Sequence, residues 1–161
     1  MRQNDATGAP WGYNETMQSY SVPVYSLQLV RHAPPTGKYL TSADKVVEVL
    51  KPMMESSDRE QVVMVALDAK LQIIGVMQVA VGTIDASLFS NREIIKAALL
   101  VNAASIIVAH NHPSGDPEPS PEDVKVTKSL SEACKLMDVP LIDHIVFGYD
   151  SHVSLKAKGV L

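Results

Sequence analysis

Apolar residues recur along this chain with two different periods, and the switches between them mark out its elements. Gln61-Val62-Val63-Met64-Val65-Ala66-Leu67 is an almost unbroken apolar run, the pattern of a strand buried on both faces. Asp68-Ala69-Lys70 reads as a turn and Leu71 to Val81 as a returning strand, so the pair predicts a β-hairpin. Ahead of it, Thr41-Ser42-Ala43-Asp44 is a helix start, followed by a helical stripe of Val46, Val47, Leu50, Met53 and Met54. Pro52 is expected to kink or divide that helix and Ser56-Ser57-Asp58 to end it. Ser90-Asn91-Arg92-Glu93 has the form of a capping box, opening a helix that buries Ile94, Ile95, Ala98, Leu99 and Asn102 or Ala103. The apolar segment Ser105-Ile106-Ile107-Val108-Ala109 predicts a further strand. From Pro121 to about Met137 a helix is expected to bury Val126, Leu130, Ala133 and Met137. Val139 to Gly148 reads as a strand around Leu141 to Phe147, and His152 to Leu155 as a last short one.

Upstream, Val22 to Val30 reads as a strand that Pro23 confines to a sheet edge, ended by Ala33-Pro34-Pro35-Thr36-Gly37. Residues 1–22 have no periodicity and are expected to form a flexible tail, with Trp11 an incidental feature of it. Residues 23–161 then make one domain. Helices alternate with strands around one sheet, so the class is α/β with a mixed central β-sheet flanked by helices. A length of 161 residues allows one well-buried core rather than two.

Composition narrows the function. The net charge of −4 and the scattered lysines and arginines argue against a non-specific nucleic-acid binder, which usually carries a basic excess or stripe. No apolar window is long enough to span a bilayer, and no secretory signal is seen, so no membrane partner is expected. The single cysteine, Cys134, forbids an intramolecular disulfide, and a reducing, cytoplasmic setting fits. Cys134 itself reads as a packed thiol.

The chemistry concentrates between Ala109 and Asp123. His110 and His112 are two apart, so at the end of a strand both rings turn to one face. Asp123 follows after ten residues, enough for a loop to return a carboxylate to that face. Two imidazoles and one carboxylate leave a zinc ion a free fourth position, as in hydrolytic sites. Three prolines stiffen the intervening loop, where Asn111 and Ser114 read as shaping residues. Asp123 has a second reading: Ser120-Pro121-Glu122-Asp123 carries a capping residue, Pro at the first helical position and an acid at the third. Asp is short for the reach of a capping box, and the helix N-terminus favours the ionised form a metal requires, so ligation is preferred for Asp123.

A zinc hydrolase also requires a carboxylate to accept a proton from water and return it to the leaving group. Glu93 is accounted for by its cap, Glu55 by a solvated helix end, and Glu118 by the loop. Glu60 stands at the mouth of a buried strand and is the expected general base. Asp143-His144, inside an apolar strand, is either a hydrogen-bonded structural pair or a support behind the metal. His32 and His152 are expected at the surface.

His110-Asn111-His112-Pro113, six residues, Ser120, two residues and Asp123 match the JAMM signature of MPN/JAB metalloproteases step by step. With Arg92-Glu93-Ile94, Ser114-Gly115-Asp116, Pro119 and Asp143-His144, residues 40–161 resemble the RadC branch in a short form without the helix-hairpin-helix region. The resemblance implies a cytidine-deaminase-like α/β fold and one Zn²⁺ held by His110, His112 and Asp123. It also implies that Ser120 steadies the oxyanion and that Glu60 is the base, in hydrolysis of a peptide or isopeptide substrate. Assembly into an oligomer is compatible with it. Two other functions compete with this metallohydrolase. One is a DNA-repair-associated binding module with a non-catalytic metal site, which rests on the RadC label alone and would bind DNA with a steep salt dependence. The other is a metal-dependent nuclease, which would need cations around a loop that supplies acids instead.

Overall fold

The computed structural model describes residues 43–54, 57–82 and 89–161. The expected tail over 1–22, the edge strand over 22–30, the start of the domain at 23, Trp11 and His32 lie outside the described residues. Within them the chain forms α1 (Ala43–Met54), β1 (Gln61–Leu67), β2 (Ile73–Val81), α2 (Asn91–Leu100), β3 (Ser105–Asn111), α3 (Pro121–Leu136), β4 (Leu141–Phe147) and β5 (His152–Ser154). The strands make one five-stranded sheet in the order β2-β1-β3-β4-β5. The β1–β2, β1–β3 and β4–β5 pairs are antiparallel and the β3–β4 pair is parallel. The sheet is therefore mixed and the class α/β.

Both faces of the sheet are covered, which is why β1 and β3 are apolar almost without interruption. Even-numbered Val62, Met64, Ala66, Ile106 and Val108 pack with Ile94 and Ala98 of α2 and Leu130 and Cys134 of α3. Odd-numbered Val63, Val65, Leu67, Ile107, Ala109, Ile145 and Phe147 pack with Val46, Leu50 and Met54 of α1. The strand period of two thus sorts one sequence run into two cores. Helix α3 is the crossover between the parallel strands β3 and β4, a connection that a parallel pair requires. It brings the start of α3 beside the end of β3, where the histidines stand.

Five local expectations are corrected. Pro52 does not divide α1, which runs through it to Met54; in the last turn a missing N–H removes one bond from a helix about to stop. In α1 the buried stripe is Val46, Leu50 and Met54, while Met53 is exposed. Leu99 is exposed on α2, whose buried residues are Ile94 and Ala98. On α3 the buried face is Asp123, Thr127, Leu130 and Cys134 rather than Val126, Ala133 and Met137. The helix is rotated so that two polar residues point inward, and apolar spacing alone cannot report such a rotation. The β-hairpin forms, but β2 begins at Ile73 because Leu71 takes a left-handed φ of 61°. The Asp68 carboxylate accepts from the N–H groups of Lys70 and Gln72 and lengthens the turn.

Candidate metal centre

The site lies where β3 ends and α3 begins. Register pairs Val62 with His110 and Val108 with His144, so by alternation His110 and His144 share the face that meets α2 and α3. His110 is completely buried and His112, just beyond β3, is partly exposed. Asp123, third residue of α3, returns its carboxylate to them. Its two oxygens lie 3.3 Å from His110 Nε2 and 3.4 Å from His112 Nε2, and the two ring nitrogens are 3.0 Å apart. One ligand atom from each of the three residues falls within a 4.8 Å cluster, so these residues could hold a metal ion.

The donor set fits a cation on chemical grounds. His112 Nδ1 stands 2.8 Å from the Asp116 carbonyl, which can only accept, so Nδ1 is the protonated nitrogen and the lone pair of the neutral tautomer lies at Nε2. That lone pair, His110 Nε2 and a carboxylate all face one point. They repel one another unless a positive charge lies among them. A ring nitrogen whose opposite N–H is fixed by a carbonyl is also the usual setting of a metal-bound histidine.

Asp123 caps α3 and at the same time faces the two histidines. Oδ2 accepts from the Ser120 N–H at 2.7 Å and from Ser120 Oγ at 2.6 Å, while Ser120 Oγ accepts from the Asp123 N–H at 3.1 Å. The capping box is complete despite the short side chain, which corrects the expectation that Asp could not reach back. Oδ1 remains on the histidine side. Burial works to raise the Asp123 pKa, but the adjacent His110 ring and the hydrogen bonds from Ser120 outweigh it and hold the carboxyl well below the usual carboxylate range. The helix N-terminus adds to this preference for the anion.

Ser120 therefore sits at the site, its hydroxyl proton directed to Asp123. The Glu60 side chain lies outside the 4.8 Å cluster, and its residue is half-buried directly before β1. Its backbone is held by Asn111, whose Oδ1 accepts from the Gln61 N–H at 2.9 Å and whose Nδ2 donates to the Arg59 carbonyl at 3.0 Å. The Glu60 carbonyl accepts from the Gly82 N–H. Asn111 is thus no loop-shaping residue; the residue between the two histidines clasps the chain on both sides of Glu60.

The Asp143-His144 pair divides between the two readings offered for it. Asp143 is structural: its carboxylate accepts from the His144 N–H, Ser154 Oγ and the Lys156 N–H, tying β5 and the following turn to β4. His144 lies behind His110, Nε2 to Nδ1 at 2.8 Å, with its own Nδ1 2.6 Å from Thr127 Oγ1. Phe89 covers both rings, at centroid distances of 5.7 Å to His110 and 5.0 Å to His144. Burial first, then the adjacent His110, push the His144 pKa well below its ordinary value, so the ring is neutral. Thr127 had no signal in the sequence beyond its place four residues after Asp123. Cys134 is buried in the core, and burial pushes its thiol up to about 11, away from nucleophile chemistry. His152 is exposed.

The loop between His112 and Asp123 is tied down by the β4–β5 turn. The His112 N–H donates to the Phe147 carbonyl at 2.9 Å, Tyr149 Oη to the Pro113 carbonyl at 2.9 Å, and the Tyr149 N–H to the Gly115 carbonyl at 3.2 Å. Glu118 pairs with Lys158.

A family model for the RadC-like JAB domain matches residues 40–160 of this chain. The chain is 41% identical over 120 residues to a UPF0758 protein of Methanosarcina mazei, covering 74% of this chain and 52% of that protein. It is 40% identical over 121 residues to a UPF0758 protein of Roseiflexus castenholzii, covering 75% and 52%. With a UPF0758 protein of Clostridium acetobutylicum the identity is 38% over 122 residues, covering 76% and 53%. The chain thus spans about half the length of these curated relatives. Among the described residues no helix is long and apolar enough to cross a membrane.

Proposed function

This chain belongs to the RadC-like JAB domain family, and from that premise we propose that it is a zinc-dependent hydrolase of peptide or isopeptide bonds. The observation that carries the reading is the meeting of His110 Nε2, His112 Nε2 and the Asp123 carboxylate at one point. These three residues would hold the ion. When bound, zinc would supply a Lewis acid that polarises a scissile carbonyl and makes water acidic enough to lose a proton near neutrality. Glu60, held at the backbone by Asn111, would serve as the general base that takes a proton from water and passes it to the leaving amine. The Ser120 hydroxyl, which donates to Asp123 here, would turn to donate to the developing oxyanion. The acidic balance of the chain favours this over a nucleic-acid role, since nothing in it supplies a basic stripe.

The test is elemental analysis of the purified chain followed by peptide and isopeptide cleavage assays. About one zinc per chain is expected, with cleavage lost on chelation and restored by zinc. Glu60→Gln should retain the zinc and lose roughly 10²- to 10⁴-fold in rate, the range of general-base contributions. A chain that takes up no zinc, or a Glu60→Gln variant as active as the parent, defeats the reading.

Asn111→Ala should lower kcat by roughly 10²-fold at unchanged zinc content, because a displacement of about an ångström at a catalytic group has that effect. It leaves the Gln61 N–H and the Arg59 carbonyl without this partner, and a melting curve should register about 1–3 kcal/mol of lost stability. An unchanged kcat would show that the clasp has no bearing on Glu60.

A further inference from the structure

We infer that Thr127 and His144 form a directional hydrogen-bond relay, running from His110 to the backbone carbonyl of Asp123, that fixes His110 as the tautomer with a bare Nε2. The inference deepens the metal reading above and rests on it for its purpose, though the relay itself can be tested without metal.

The direction follows from proton accounting. Thr127 Oγ1 lies 2.5 Å from the Asp123 carbonyl oxygen, which has no proton to give. The single hydroxyl proton of Thr127 must therefore lie on that bond. Toward His144 the hydroxyl can then only accept, so the proton on His144 is at Nδ1, 2.6 Å away. A neutral imidazole protonated at Nδ1 has a lone pair at Nε2. That lone pair faces His110 Nδ1 at 2.8 Å, so His110 is the donor there and carries its proton on Nδ1. His110 Nε2 is left as a lone pair facing His112 and Asp123. His144 is completely buried with its ring bonded to His110 and Thr127 rather than to a carboxylate, which keeps it neutral; reversing either ring bond would then set the Thr127 hydroxyl oxygen against the Asp123 carbonyl with no proton between them at 2.5 Å.

The relay begins and ends on the same site. The carbonyl that takes the last proton belongs to Asp123, whose side chain faces the lone pair that the relay exposes. Position four residues on along α3 puts Thr127 one turn behind Asp123, so the helix turn that delivers the carboxylate also delivers the hydroxyl. His112 is fixed separately, by the Asp116 carbonyl. Each of the two rings thus has its proton held on the side away from the metal by a different part of the fold. This accounts for the inward rotation of Asp123 and Thr127 on α3. Thr127 and His144 are positioning residues.

The test compares Thr127→Val, which keeps the shape and removes the hydroxyl, with Thr127→Ser, which keeps the hydroxyl, in the full chain. Zinc Kd is read by competition with a chromophoric chelator, and the ring tautomers by long-range proton–nitrogen NMR on metal-free protein at mildly alkaline pH. The expected result is protonated Nδ1 and bare Nε2 on both His110 and His144 in the parent. Thr127→Val should bind zinc roughly 10- to 100-fold more weakly, the usual effect of losing a partner behind a ligand, and Thr127→Ser should restore most of the loss. A metal-free parent with His144 protonated at Nε2 overturns the relay. So does a parent that binds zinc while Thr127→Val binds it equally well. A parent that binds no zinc overturns the metal reading instead, and the NMR tautomers then decide the relay alone.

Discussion

Asp123→Asn is expected to leave the chain folded and strip it of zinc. The asparagine oxygen still accepts from the Ser120 N–H, so the capping interaction seen at 2.7 Å survives. What disappears is the negative charge opposite two lone pairs 3.0 Å apart. The amide nitrogen can instead donate to those lone pairs, satisfying them without a cation. Zinc Kd should rise by at least roughly 100-fold, about 2.8 kcal/mol at 1.4 kcal/mol per factor of ten. The parent should gain thermal stability on zinc addition, about 4 kcal/mol at a thousandfold excess over Kd, and the variant should gain almost none. Asp123→Ala separates the two roles of this side chain. It loses the cap as well, and its metal-free form should melt below the asparagine variant by about 1 kcal/mol of stability. If Asp123→Asn binds zinc as tightly as the parent, Asp123 is a cap and nothing more.

The parts of this site legible in the sequence are those set by spacing along a single element. Two histidines at alternate positions of a strand face one way whatever the rest of the fold does, and His110 and His112 needed no other information. The return of Asp123 needed only a loop and a helix start. Cap and ligand donor are not alternatives for Asp123, because a carboxylate has two oxygens and Asp123 gives Oδ2 to the helix while Oδ1 faces His110. The place of Glu60 directly before a buried strand is legible in the sequence, but the Asn111 clasp on its backbone depends on β1 pairing with β3, fifty residues away along the chain.

What spacing could not report is anything that depends on register between strands or on helix rotation. His144 reaches His110 only because β3 and β4 pair in parallel with Val108 opposite His144. Thr127 reaches His144 only because α3 turns its polar residues inward, against the stripe that Val126, Ala133 and Met137 suggested. In both cases a satisfied hydrogen bond outweighs the apolar side chain that would otherwise take the buried position. A buried polar group with good partners costs little, and one without them costs much, so partners found only in the folded state decide the rotation.

Gly148 carries the second large effect, and it also lies outside any motif. An added Cβ there would stand 2.2 Å from the Gly115 carbonyl oxygen and 2.9 Å from Pro117 Cδ. Neither atom is the free end of a flexible side chain, so the contact cannot be relieved by a rotamer change. Gly148→Ala should therefore cost about 3 kcal/mol, at the upper end of overpacking effects. The strain falls on the contact between the β4–β5 turn and the loop that carries His112. Separating them breaks the bonds from the Tyr149 N–H to the Gly115 carbonyl and from Tyr149 Oη to the Pro113 carbonyl. His112 should then lose its alignment while His110, inside β3, and Asp123, capped in α3, retain theirs. Zinc affinity is expected to fall by roughly tenfold or more, with far-ultraviolet circular dichroism close to the parent's. Gly75→Ala is the control: its Cβ would meet nothing within 4 Å, in the middle of β2. That substitution should be neutral or stabilising by up to about 1 kcal/mol, since glycine weakens a strand. Equal melting temperatures and equal zinc affinities for the two variants would mean that the close approach at Gly148 has no part in holding the metal loop.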